Sequence, residues 1–149
     1  MRSVWISPPQ LHLAQYSVSS FRLLKVHLDS LDSQFRRSLQ RELAGLLREP
    51  GCKGGIIAGD FNAIYPKDHG VVDEHELLDA WVLLHRSTGS DGATWGVGVE
   101  LEDGLKAGRL DKIVMLGSKP DEIEVLQPGL NESDRPWSDH CGLRCTFII

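Results

Sequence analysis

The sequence predicts a layered protein of the α/β (α+β) class, and three observations support this. An apolar stretch, an amphipathic stretch and a second apolar stretch follow one another near the start, which is typical of a parallel crossover unit. The later part of the chain is rich in short strand-like segments. Several strand-like segments stop at a His, Asp or Asn, and strand ends are where α/β proteins collect functional side chains.

The crossover unit is predicted first. Phe21–Leu28 indicates a strand because buried-type residues dominate it. Asp32 or Ser33 is expected to cap a helix that runs to about Arg48, since apolar residues recur there at spacings of three and four. Gly55–Ala58 is a short apolar strand, and two strands separated by a helix favour parallel pairing.

The later elements are predicted from local composition and period. Leu77, Leu78, Trp81 and Leu84 would share one face of a helix. In chain order we expect a loop over Pro66–Gly70, a helix over Val72–Leu84, a glycine-rich irregular segment over Ser87–Gly104, strands over Leu110–Leu116 and Ile123–Leu126, a polar loop over Pro128–Trp137 and a closing strand over Cys141–Ile149.

Composition limits the classes of function. The 149 residues fit one domain, and the formal charge of −5 disfavours non-specific nucleic-acid binding, which depends on neutralising phosphates. Any polymer contact would need a local basic patch such as Arg36, Arg37 and Arg41, but the favoured interpretation of these three is the solvated face of a helix. No stretch has the length and apolarity of a membrane span, and no signal-peptide pattern opens the chain.

The cysteines indicate the compartment. Cys52, Cys141 and Cys145 have no metal-binding spacing, and three thiols cannot all form disulfides within the chain. An odd number of cysteines suits a reducing environment. We therefore expect an intracellular protein, in the cytoplasm or nucleus, that is not secreted.

Two pairs of side chains carry the predicted chemistry. His140 could take a proton from water if a carboxylate held its ring, and Asp111 and Asp139 are the candidates. Neighbours in an extended strand point to opposite faces, so Asp111 is better placed than Asp139. Asp60 and Asn62 are two residues apart and would face the same way in extended geometry. Such a set can hold a hard cation and activate water.

The ordered motifs resemble a known family. They are Lys25-Val26-His27-Leu28-Asp29, Gly59-Asp60-Phe61-Asn62, Arg109-Leu110-Asp111-Lys112-Ile113 and Ser138-Asp139-His140, with Asp79-Ala80-Trp81 and Thr94-Trp95-Gly96 between them. In this order they resemble the endonuclease/exonuclease/phosphatase superfamily, which has the fold of deoxyribonuclease I. The sequence is most similar to fungal members that resemble tyrosyl-DNA phosphodiesterase 2.

The resemblance covers residues 21–149 and implies part of a domain. Family members are about twice as long, and their first half supplies an Asn and a Glu that is a principal metal ligand. No acidic residue occurs here before Asp29, so that Glu has no counterpart at its expected place. We therefore expect residues 1–20 to be a poorly patterned segment. Residues 21–149 are expected to be the C-terminal half of a four-layer αββα sandwich, from a shortened gene model, a natural truncation or a degenerate paralogue.

The resemblance also assigns roles to single residues. It places the residue matching Asp111 beside the one matching His140, the residue matching Asp139 near the metal, and the residue matching His27 against the scissile phosphate. Val26 replaces a Thr or Asn that precedes this His in many relatives. The implied metal ligand is Asp139, and the implied catalytic residues are His27, Asp60, Asn62, Asp111 and His140.

Two further residues have two interpretations each. Trp95 could stack on a base or peptide group of a substrate, or it could anchor a loop to the core. Arg109 could bind phosphate bidentately, or it could be an exposed arginine at a strand end. Both residues are therefore candidates for substrate binding.

The function implied is a phosphodiesterase, nuclease or phosphatase that depends on Mg²⁺ (or Mn²⁺) and acts on a phosphoester substrate, nucleic acid among them. Because the Glu ligand is missing, we expect this chain alone to be weak or inactive. The alternative is a non-catalytic remnant or binding module, and Glu74, Glu76 and Glu102 are the substitutes that could complete a metal site. Self-association or partner binding is expected through an exposed sheet face, with candidate positions Val26, Ile56, Ile113 and Phe147.

Overall fold

The structure, a computed structural model, describes residues 21–87, 90–102 and 104–148, so the segment 1–20 lies outside it. Strands and helices alternate early in the described residues, and strands dominate later, as the sequence predicts. The strands are β1 (Phe21–His27), β2 (Gly54–Asp60), β3 (Leu78–Asp79), β4 (Asp111–Leu116), β5 (Lys119–Leu126) and β6 (Gly142–Ile148), and the helices are α1 (Ser33–Leu46), α2 (Pro66–Glu74) and α3 (Ala80–His85).

The crossover unit β1–α1–β2 has the predicted parallel pairing. Asp32 caps α1, because its carboxylate accepts hydrogen bonds from the backbone N–H groups of Gln34 and Phe35 at 2.8 and 2.9 Å. Gly59 has a φ of 139°, and a Cβ there would overlap the carbonyl oxygen of Val26. Only glycine therefore lets β2 approach β1 closely at the residue before Asp60.

Two sheets form the core. The larger has the strand order β1-β2-β4-β3, in which β4 runs antiparallel to both β2 and β3, and the smaller contains β5 and β6. Helices α1 and α2 cover one face of the larger sheet, where Leu24, Leu43 and Val114 belong to one buried cluster. The opposite face packs on the smaller sheet through Ile56, Met115 and Ile123. This is the sheet-on-sheet core expected of the αββα sandwich.

The predicted loop over Pro66–Gly70 is wrong, because α2 begins at Pro66. Proline is favoured at the first helical position, where its missing N–H costs nothing. Asp68 supports this start, since its carboxylate accepts a hydrogen bond from the backbone N–H of Tyr65 at 3.1 Å.

The single helix predicted over Val72–Leu84 is also wrong, because the chain turns at Glu76 with a φ of 51° and then forms β3. The carboxylate of Asp79 then accepts hydrogen bonds from the backbone of Trp81 and Val82, which starts α3 as a new helix. The apolar residues are spaced as in a single helix, but the cap at Asp79 begins a second helix within this interval.

The face expected to be exposed is covered. Val26, Ile56 and Ile113 are 4%, 2% and 8% exposed, and Phe147 is half-buried in the contact between the sheets. Val26 lies under the helices, whereas the other three face the opposing sheet. These positions therefore do not form the predicted apolar patch. Self-association remains a prediction, but these four residues do not support it.

The structure also corrects the expectation for Arg36. This residue belongs neither to a basic surface patch nor to a solvated helix face. Its side chain is fully buried and its Nη2 lies 2.7 Å from Oδ2 of Asp68. Within the described residues, no helix has the length and apolarity needed to cross a bilayer.

Candidate functional site

The strand register brings three predicted site residues into one row. His27 is the register partner of Asp60 across the parallel pair, and Asp60 is the register partner of Asp111 across the antiparallel pair. The row lies at the carboxyl ends of β1 and β2 and the amino end of β4. All three residues belong to the face of the larger sheet that packs on β5 and β6, as Ala58 and Ile113 do.

Asp60 is a buried carboxyl group in the middle of this row. It is 6% exposed, and its Oδ1 accepts a hydrogen bond from the backbone N–H of Asn62 at 2.7 Å. Burial raises its pKa, and the nearby charge of Asp111 adds to this, although the N–H of Asn62 opposes them. The Nδ1 atom of His27 lies 3.8 Å from Oδ2 of Asp60. Asp60 is therefore suited to holding or giving a proton.

Asn62 differs from the extended geometry expected of it. Strand β2 ends at Asp60, and Asn62 has a φ of 46°, in the left-handed region. Its Nδ2 donates a hydrogen bond to the carbonyl oxygen of Leu28 at 2.6 Å, which joins the segments that follow β1 and β2. Phe61 is 2% exposed in the core, as predicted. The amide of Asn62 therefore holds the two strand ends together.

Asp111 and His140 form the hydrogen bond that the sequence predicts. The Nδ1 of His140 lies 2.7 Å from Oδ2 of Asp111, which is 7% exposed. An ionised carboxylate can only accept a hydrogen bond, so Nδ1 carries the proton and Nε2 is available to take a proton from water. This hydrogen bond is the main reason why the pKa of His140 is raised, against the effect of burial. The pair has the geometry of a base held by a carboxylate.

Asp139 points elsewhere, as expected of the residue next to His140. Its Oδ2 accepts a hydrogen bond from Nε1 of Trp95 at 3.0 Å, and Trp95 forms isolated β-bridges with Gly108 and His140. Of the two interpretations of Trp95, this contact favours the anchor between loops. Trp95 is half-buried, so part of its surface is accessible.

Arg109 lies inside the protein rather than at an exposed strand end. It is 6% exposed, and its Nη1 donates to both carboxylate oxygens of Asp79 at 2.9 and 2.7 Å. Nζ of Lys112 also lies 3.4 Å from Asp79 and 3.0 Å from Nδ1 of His69. Because its guanidinium is buried against Asp79, Arg109 is a poor candidate for binding phosphate. The motif Asp79-Ala80-Trp81 was the sequence signal for its partner.

The residues present do not by themselves fit Mg²⁺ or Mn²⁺. Over 21–87, 90–102 and 104–148, no group of three His, Cys, Asp or Glu side chains converges as a metal site would require. Asp111 accepts from His140 and Asp139 accepts from Trp95, so both carboxylates already have partners. The three glutamates considered as substitutes, Glu74, Glu76 and Glu102, are exposed.

Thr94 is a site residue whose role was not predicted from the sequence. It is fully buried, and its Oγ1 accepts a hydrogen bond from the backbone N–H of Asp111 at 2.9 Å. The motif Thr94-Trp95-Gly96 contains the residue, but only its tryptophan was predicted to have a role. Trp137, three residues before His140, is a second residue without a predicted role, and it is 65% exposed.

Comparisons with known proteins agree with this fold. No protein-family model and no curated protein sequence matches the chain. Solved structures do match it, and TDP2 from D. rerio, in complex with a single-strand DNA product, has a TM-score of 0.67 at 22% identity, over 87% of this chain and 56% of that one. The 3′ phosphatase NExo from Neisseria, bound to a product DNA hairpin, has a TM-score of 0.63 at 18% identity, over 89% and 63%.

An endonuclease/exonuclease/phosphatase family protein from Leptotrichia buccalis also matches, with a TM-score of 0.62 at 21% identity, over 87% of this chain and 49% of that one. The likeness at these identities is one of fold, and it confirms the expected deoxyribonuclease I-like fold. The chain spans about half the length of the solved structures that it matches.

Proposed function

We propose that this chain carries the proton-transfer groups of a phosphoester hydrolase, either a phosphodiesterase or a phosphatase. The observation that supports the proposal best is the 2.7 Å contact between Asp111 and His140 beside the buried carboxyl of Asp60. The fold adds support, because structures that share it include one named as a 3′ phosphatase and one named as a mannosyl-6-phosphatase.

In the proposed reaction, water attacks phosphorus in line with the leaving oxygen. Nε2 of His140 takes the proton of the water, and Asp111 stabilises the imidazolium that results. The new bond joins the water oxygen to phosphorus, and the bond from phosphorus to the leaving oxygen breaks. Asp60, whose pKa is raised, can give that oxygen its proton. His27, exposed at the row, is placed to stabilise charge on a non-bridging oxygen.

The metal dependence of the reaction is part of the proposal. A divalent cation such as Mg²⁺ or Mn²⁺ would offset charge on the phosphate, but the described residues do not form its ligand set. We therefore propose that the chain alone is weak or inactive. Trp95 remains the substrate-stacking candidate because it is only half-buried, whereas Arg109 is a poor one because its guanidinium is buried against Asp79. Three free cysteines fit an intracellular location, in the cytoplasm or nucleus.

Hydrolysis by the purified full chain tests this proposal. Bis(p-nitrophenyl) phosphate and p-nitrophenyl phosphate would be offered with Mg²⁺ or Mn²⁺, and with EDTA as the metal-free control. Any rate above background should fall by about 100-fold or to background in His140→Ala, because a general base contributes at least that much. His85→Ala, which removes an exposed histidine of α3, should leave the rate unchanged.

Two results would contradict parts of the proposal. Strong Mg²⁺-dependent hydrolysis that His140→Ala abolishes would mean that the chain is a complete enzyme, against the expected weakness. Hydrolysis that survives in both His140→Ala and Asp111→Asn would mean that this pair is not the base.

The second candidate function is a binding module without catalysis, and the lack of a three-ligand group among the residues that the structure describes favours it. TDP2 from D. rerio and NExo were both solved with DNA products, so DNA is the ligand to try. Fluorescence anisotropy with a single-strand oligonucleotide in EDTA would detect it. Binding without hydrolysis in any metal would favour the module, and the affinity should fall steeply with salt.

A further inference from the structure

We propose that Thr94 is a positioning residue that holds Asp111 against His140. The need for such a residue follows from topology. Asp111 begins β4 in the larger sheet, whereas His140 precedes β6 in the smaller sheet. Strands β4 and β6 are not hydrogen-bonded neighbours, so no β-ladder fixes the distance between the two side chains.

Thr94 connects both sides of this gap. Its backbone N–H donates to the carbonyl oxygen of Gly108 at 2.9 Å, and its own carbonyl oxygen accepts from the N–H of Cys141 at 2.6 Å. Its Oγ1 accepts from the N–H of Asp111 at 2.9 Å. One fully buried residue is thus bonded to the first residue of β4 and to the neighbour of His140.

The next two residues hold the other side of His140. The N–H of Gly96 donates to the carbonyl oxygen of Asp139 at 3.1 Å, and Nε1 of Trp95 donates to its carboxylate. Most of these bonds use backbone atoms, which substitution leaves in place. The hydroxyl of Thr94 is the side-chain link from this segment to Asp111, so it can be removed alone.

Thr94→Val has nearly the shape of threonine but cannot accept a hydrogen bond. The buried N–H of Asp111 would then lose its partner, which is costly enough to shift the start of β4 or admit a water. A small shift is sufficient, because a hydrogen bond of 2.7 Å lengthens and weakens readily. Thr94→Ser keeps the hydroxyl, whereas Thr94→Ala loses both the hydroxyl and the methyl group.

NMR of the full chain tests this inference with two readouts. The first is hydrogen exchange at the backbone N–H of Asp111, and the second is the downfield proton resonance of the His140 Nδ1–H. We expect Thr94→Val and Thr94→Ala to speed that exchange by about tenfold or more and to move or broaden the resonance. Thr94→Ser should preserve both. A thermal melt of each variant shows that the fold is retained.

The inference is overturned if a folded Thr94→Val leaves both signals as in the wild type. It is also overturned if serine and alanine variants change them equally, since packing of the methyl group would then be responsible. If valine prevents folding, the serine and alanine pair, which differ only in the hydroxyl, decides the question.

The meaning of the link for catalysis rests on the proposed function. Where the wild type shows measurable hydrolysis, Thr94→Val should lower kcat by about tenfold with little change in KM, and Thr94→Ser should restore it. NMR effects in a wild type without detectable hydrolysis would support the positioning role and agree with the proposed weakness of the chain alone. Hydrolysis that depends on His140 but ignores Thr94 would support the proposed function and overturn the positioning role.

Discussion

Lys112 shows how a strand interior can contain a charged residue in this protein. Its side chain is 1% exposed, on the helical side of β4, and its neighbours are His69 and Asp79. Burial is the main reason why its pKa falls to about 8, although Asp79 opposes the change. Burial and the charge of Lys112 lower the pKa of His69 to about 4. Burial and the neighbouring cations thus keep this histidine neutral at pH 7.

The stability of the protein should therefore depend on His69 in acid. The pKa of His69 is near 6.5 unfolded and about 4 folded, so between these values the unfolded chain binds more protons. Its contribution to stability is complete above about pH 6.5 and is lost as the pH falls towards 4. The charged or titrating groups that face it are Lys112, Arg109, Asp79 and Asp68.

We predict that His69→Gln becomes more stable relative to the wild type as the pH falls. Glutamine cannot be protonated here, and its amide oxygen can still accept from Lys112. Urea unfolding of both proteins at about pH 7.5 and about pH 5 measures the difference. An unchanged difference between the two pH values would contradict the assignment. His85→Gln reports the effect of losing an exposed histidine.

The predictions at the scale of single residues succeeded where one argument fixed the partner. Asp111 was chosen over Asp139 because neighbours in an extended strand diverge, and the 2.7 Å contact to His140 confirms it. Arg109 could not be assigned from sequence, because its partner Asp79 lies 30 residues away and only the fold brings them together. The turn at Asn62 escaped prediction because its left-handed φ depends on contacts with Leu28.

At the scale of elements, a buried ion pair joins α1 to α2. Arg36 and Asp68 are both fully buried, and the same guanidinium donates through Nη1 to the carbonyl oxygen of Asp29 at 2.9 Å. The carboxylate of Asp68 also accepts from Tyr65. The pair therefore holds the segments that follow β1 and β2, the first of which begins next to His27 and the second of which contains Asn62. Arg36 Nε and Asp68 Oδ1 have no hydrogen-bond partner, so the pair is incompletely satisfied.

Breaking this pair on one side should be costly. Asp68→Ala leaves the charge of Arg36 buried without its partner, and we expect the free energy of unfolding to fall by about 3–5 kcal/mol. The double variant Arg36→Met with Asp68→Leu buries no charge and should recover most of that loss. Urea denaturation of the three proteins measures it. A double variant no more stable than Asp68→Ala would refute this account.

The element boundaries show what local pattern can and cannot reveal. The unit β1–α1–β2 followed from period and from the cap at Asp32, both of which are local. The interval Val72–Leu84 failed because its leucines match a helical period although β3 pairs with β4 within it. Strand pairing is a long-range contact, and a strand of two residues leaves no periodic trace.

At the scale of the whole molecule, the two sheets share one apolar core. Met115 on β4 is fully buried in the same cluster as Ile123 on β5. The smaller sheet has only two strands among the described residues, and an isolated pair of strands is marginal in water. Its stability must therefore come from packing on the larger sheet.

We predict a single unfolding transition for both sheets. Met115→Ala should lower the free energy of unfolding by about 2–5 kcal/mol without dividing the transition. Leu83→Ala, on an exposed position of α3, should change it by about 0.5 kcal/mol at most. Far-UV circular dichroism and tryptophan fluorescence should give the same midpoint. Separate midpoints would show that the smaller sheet unfolds independently.

The contact between the sheets also contains a natural chemical reporter. Cys145 of β6 packs against the shared core, and burial raises the pKa of its thiol to about 11. Alkylating reagents attack the thiolate, which is scarce at neutral pH in the folded protein. Separating the sheets would expose this thiol and return its acidity towards normal. The rate of alkylation at Cys145, followed by mass spectrometry, therefore measures how often the two sheets separate, and it requires no engineered label.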